Sequence, residues 1–116
     1  MLSMQNIYDQ AIQTIETYAA IKNISRKSTL EASPRFAITC HEIAEIANKN
    51  DAENFFFSVN PEEGSLVIQM QMFELYTKNG RTDTFFNVIK EVSSFVVRKV
   101  DDETICLELN FPFQWV

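Results

Sequence analysis

Apolar positions along the first half of the chain recur at helical spacing. In "MQNIYDQAIQTIETYAAI", Met4, Tyr8, Ala11, Ile15, Tyr18 and Lys22 follow alternating steps of four and three, while Ile7, Ile12 and Ala19 widen the stripe. A helix built on this pattern has one broad face to bury. The polar connector "NISRKSTLEA" follows, and then Ser33-Pro34 predicts a helix start. Serine can accept a hydrogen bond from a free backbone N–H, and proline fits the first helical position. This second helix is expected over Pro34–Lys49, with Phe36, Cys40, Ile43, Ala44 and Ala47 on one side.

After "NKNDAEN" the period changes to two. Phe55, Phe57 and Val59 alternate with Phe56 and Ser58, "NPEEG" at 60–64 supplies a reversal, and a second strand over about 66–75 places Leu66, Ile68, Met70 and Met72 on one face. Val67, Gln69, Gln71 and Phe73 take the other face, as in an antiparallel sheet with helices on one side. The stretch "YTKNGRTDT" carries an Asn79-Gly80 turn signal. Beyond it, Phe85, Val88, Ile89, Val92, Phe95 and Val96 share one helical arc, so a third helix is expected over about 83–93 in place of a strand. A closing hairpin runs through "SFVVRKV", a turn at Asp101-Asp102 and "ETICLELNF", with Ile105, Leu107, Leu109 and Phe111 pointing one way. The fold class this predicts is α+β: two N-terminal helices followed by an antiparallel sheet in the order ββαββ, with the helices on one sheet face, all in one domain over residues 1–116.

Length and composition agree with a core that needs neither metal nor disulfide. Of the 116 residues, 46% are hydrophobic, including 10 Phe. Cys40 and Cys106 stand too far apart for a zinc spacing, and a single potential pair is not a disulfide framework. Reduced thiols in the cytoplasm are the expectation. "MLSMQNIYDQ" lacks the basic and apolar regions of a secretion signal, and no window approaches the ~18 apolar residues of a membrane helix, so no membrane association is expected. A net charge of −6 repels nucleic acid. Lys22, Arg26, Lys27 and Arg35 make the inter-helix segment locally basic, as an approach to a recognition helix would be, but Glu42 and Glu45 on the following helix oppose that use. No nucleic-acid partner is expected.

Catalytic chemistry finds little material. "CHEIAEIA" sets the sole histidine, His41, between Cys40 and Glu42, yet consecutive helical residues diverge by about 100°, so the three cannot converge on one atom. Cys40 belongs to the apolar face, His41 to its polar edge and Glu42 to solvent. The only histidine, His41, lies on a helix whose thiol neighbour points elsewhere, so Ser-His or Cys-His catalysis is not expected. With only Gly64 and Gly80, no phosphate-binding glycine loop can be written. Glu62-Glu63 and Asp101-Asp102-Glu103 read as solvated turn charges. No catalytic residue, metal ligand or cofactor is assigned.

The closing "FPFQWV" is the most suggestive stretch, since a continued strand would set Phe111, Phe113 and Trp115 on one side. They are the interface candidates: aromatic residues at a strand edge either cover their own core or anchor a second chain. The expected function is therefore non-catalytic, through a protein partner or through self-association as a homodimer. A small-molecule binder or carboxylate enzyme is the alternative, with Phe55, Phe57, Met70 and Met72 lining its pocket. A further alternative is an acidic decoy that occupies a nucleic-acid site on another protein.

Overall fold

The computed structural model describes residues 1–73, 90 and 94–116; the third helix expected over 83–93 lies outside them. Helix α1 spans Met4–Ile21. Ser3 and Asn6 cap it reciprocally: the Asn6 N–H donates to Ser3 Oγ (3.2 Å) and the Ser3 N–H to Asn6 Oδ1 (3.0 Å). Its buried face is Ile7, Ala11, Ile12, Ile15 and Ala19. Helix α2 spans Pro34–Lys49, the expected bounds, with Ser33 Oγ accepting from the Phe36 N–H. Asn48 of α2 clasps the backbone of Leu2 through both its amide atoms (2.9 and 2.7 Å), tying the two helices together at that end.

Four antiparallel strands follow: β1 (Glu53–Asn60), β2 (Ser65–Phe73), β3 (Ser94–Lys99) and β4 (Thr104–Pro112), in the spatial order β1-β2-β4-β3. The β1–β2 reversal needs Gly64, whose φ of +63° suits glycine, while Asn60 Oδ1 accepts from the Glu62 and Glu63 N–H groups. At the β3–β4 reversal the Asp101 carboxylate accepts from the Glu103 and Thr104 N–H groups (both 2.8 Å), which hold its pKa below the ordinary value.

The two helices precede the sheet and pack on one of its faces. That face is Leu66, Ile68, Met70 and Met72 of β2 interleaved with Ile105, Leu107, Leu109 and Phe111 of β4, all buried against Ile7, Phe36, Cys40 and Ile43. Phe36 meets Phe111 edge to face at 5.3 Å between ring centres. The other face is mixed: Gln69 donates to Glu108 (2.9 Å), and Arg98 lies 3.6 Å from the same carboxylate. Pro112 ends β4 opposite Ser65, two positions past Asn110, the partner of the first residue of β3. Even-numbered β4 residues turn their backbone toward β3, so the ladder donor that proline lacks would fall beyond the start of that strand.

Candidate functional site: the outer edge of the sheet

The sequence-derived candidates separate into a tail and a stretch around the core, and strand β3 is not among them. Phe111 is fully buried and Phe113 is 9% exposed, both inside the chain's own core. Trp115 is half-buried, edge-on to Phe113 (5.2 Å) and stacked on Tyr18 of α1 (6.4 Å, 3° between planes). The backbone around it is tied to the inter-helix segment. Thr29 N–H donates to Gln114 O (2.8 Å), Val116 N–H donates to Lys27 O (2.7 Å), and Gln114 N–H donates to Thr29 Oγ1 (3.0 Å). Tyr8 OH adds a bond to Glu31 O (2.8 Å). "FPFQWV" is thereby the clamp that holds residues 27–31 against the core.

Met70 and Met72 are core residues; Phe55 and Phe57 pack half-buried at its border, ring beside ring at 6.5 Å. Met72 also borders a hollow of about 150 Å³ with Asp51, Glu53, Gln71 and Thr104. A second cleft, about 190 Å³, lies between α1 and the inter-helix segment, floored by Ile12, Ile15 and Trp115, with Glu16, Arg26 and Lys27 in its lining. Both are smaller than the ~300–1,000 Å³ of ordinary ligand pockets. Cys40 is fully buried, and burial pushes its thiol up to about 12, whereas His41 on the adjacent position is exposed. Among the described residues no group of three or more His, Cys, Asp or Glu could hold a metal ion, and no helix is long and apolar enough to cross a membrane.

Strand β3 differs from all of this. Each of its residues from Ser94 to Lys99 is exposed, although Phe95, Val96 and Val97 are apolar: 39%, 41% and 45% of their surfaces face solvent. Val100, just beyond, is 51% exposed. The register pairs Phe95 with Leu109, Val97 with Leu107 and Lys99 with Ile105, so these three share the helix-bearing face. Val96 and Arg98, opposite Glu108 and Cys106, share the mixed face. Val100 donates its N–H to Thr104 O (2.9 Å), which sets the phase of the ladder. Even-numbered β3 residues bond to β4, and odd-numbered ones such as Val97 direct N–H and C=O outward.

The other rim of the sheet is blunted. β1 carries a register break between Glu53 and Phe56, and Asn54 sits there at φ +54°. A bulge of this kind bends the edge and interrupts its pairing groups, whereas β3 has an unbroken register and no proline. No protein-family model matches the sequence, and no curated protein or solved structure is significantly similar to it.

The sequence contained a signal for this edge, though it passed as an ordinary hairpin strand. "FVV" is apolar on both faces, which suits either a central strand or an edge that another chain covers. Only the strand order tells the two apart.

Proposed function

We propose that this protein is non-catalytic and acts by protein–protein association, with a second copy of itself as the partner, through the outer edge of β3. The observation that carries the reading is the exposure of Val96 and Val97 on β3, the outermost of the described strands on its side of the sheet, whose register is unbroken. Charged, kinked or short edges suppress strand addition in most proteins. Here charge enters only at Arg98 and Lys99, at one end. Added strands bind through main-chain hydrogen bonds, with alternating side chains giving specificity.

The test is thermal unfolding at two protein concentrations about a hundredfold apart, since association of folded subunits raises the midpoint by mass action. A midpoint that climbs with concentration supports the reading. A midpoint that does not move, with monomer mass at both concentrations, would end it.

A further inference from the structure

We propose that the inter-helix segment and the tail form a strap that opens as one unit while the helices and the sheet stay folded, and that in opening it widens the cleft beside Trp115. The strap lies outside the helices and strands: α1 ends at Ile21, α2 begins at Pro34 and β4 ends at Pro112. Each half finds its long-range backbone partners in the other. Thr29 N–H donates to Gln114 O (2.8 Å), Gln114 N–H to Thr29 Oγ1 (3.0 Å) and Val116 N–H to Lys27 O (2.7 Å). Ser28 and Trp115 pair among these bonds as an isolated bridge. Neither half belongs to a ladder that would hold it once the other leaves, so the bonds are made and lost together.

The elements that border the strap close without it. At the end of α1, Asn23 takes φ +57° and Ile24 N–H returns to Ala19 O (2.8 Å), which satisfies a carbonyl of the last turn. Ser33 caps α2 through the Phe36 N–H, and Phe113 N–H donates to Gly64 O (3.0 Å) at the base of the tail. The strap's own stake in the core is small. Leu30 is the one large side chain of residues 24–31 that is buried, whereas Arg26, Lys27 and Thr29 are exposed and Trp115 is half-buried. It is latched to α1 by Tyr8 OH on Glu31 O (2.8 Å) and by the stack of Trp115 on Tyr18. Between these latches runs the cleft of about 190 Å³, so opening breaks fewer contacts than lifting a close-packed element would. What it uncovers is the apolar floor of Ile12, Ile15 and Ala19.

Native-state hydrogen exchange of the full chain, followed amide by amide in rising sub-denaturing urea, tests this. Thr29, Gln114 and Val116 are expected to share one opening equilibrium, with a shallow dependence on urea because little surface is exposed. Met70 and Leu107, paired between β2 and β4 and fully buried, should exchange more slowly and with the steep dependence of global unfolding. Two substitutions separate strap from core. Trp115→Ala should lower the protection of the three strap amides by a common factor, roughly 5- to 150-fold. Ile43→Val, on the buried side of α2, should lower the protection of Met70 and Leu107 roughly 2- to 12-fold and leave the strap amides unchanged, because it weakens the closed and strap-open forms alike. Strap amides that exchange at unrelated rates would overturn the single unit. Strap amides that follow Met70 and Leu107, with Ile43→Val acting equally on all of them, would overturn an opening separate from the core.

Discussion

Two apolar stretches near the end of this chain, Phe95–Val97 and Phe111–Trp115, have opposite fates. The tail is folded back on its own subunit: Phe111 and Phe113 are buried, Trp115 stacks on Tyr18, and Gln114 and Val116 hold the inter-helix segment by backbone bonds. β3 has comparable apolar character, and all of it stays exposed. The difference is position in the sheet. β4 lies between β2 and β3, so its apolar face falls under the helices, whereas β3 is the outermost of the described strands on that side. Aromatic content alone therefore does not mark an interface; topology decides which aromatic residues the core buries.

The sharpest way to break the comparison is at the buried end. Phe111→Ala should cost the subunit ~3–5 kcal/mol, because it removes the ring against which Phe36 packs and leaves a cavity. Urea unfolding measures it, and a loss near zero would mean that the tail is not part of the core. Trp115→Ala should cost less, about 1–3 kcal/mol, since its ring is half-buried and loses two aromatic neighbours. Faster proteolysis within residues 24–31 should accompany it, because that segment depends on the tail.

Cys40 sharpens the same contrast through pH. Burial raises its pKa from 9.0 to about 12, so the folded state holds the proton more tightly than the unfolded state does. Its contribution is complete below about pH 9 and is lost as pH rises toward 12. Tyr8, raised first by burial and then by the Glu31 charge, adds to the decline above pH 10. Unfolding midpoints measured from pH 8 to 11 should fall in wild type and fall less in Cys40→Ala. A thiol reagent should modify Cys106 in folded protein well before Cys40.

At the exposed rim the expected cost to the subunit is small. His41→Ala, a change on the exposed side of α2, is the reference for such a surface substitution, within about 0.5 kcal/mol in urea. Val97→Lys should stay near the same value for the isolated subunit while weakening association, because lysine on an edge opposes strand addition.

Much of the architecture was legible because its signals are local. Ser33-Pro34 and the apolar stripe place α2 correctly, and the alternation of Leu66 to Met72 and Ile105 to Phe111 marks the buried sides of β2 and β4. The start of β1 was less legible. It begins at Glu53, not Phe55, since Asn54 adopts a left-handed conformation and adds a residue to the pairing, which periodicity does not register. The fate of the tail and of β3 depended on long-range pairings: Thr29 to Gln114, and β2 to β4. Phe113 and Trp115 could be recognised as a set from their spacing, but their destination required knowing that residues 27–29 run alongside. Val96 and Val97 looked like any hairpin strand until the strand order placed them outermost among the described strands.

Sedimentation equilibrium of wild type and Val97→Lys across a hundredfold range of concentration (about the span over which mass action is readily seen) tests the central claim most directly. The wild-type mass should rise from 13.4 kDa toward twice that value, while Val97→Lys, folded by circular dichroism, stays at 13.4 kDa throughout. Equal masses for the two proteins at every concentration, whether both monomeric or both dimeric, would contradict β3 as the surface through which this protein associates.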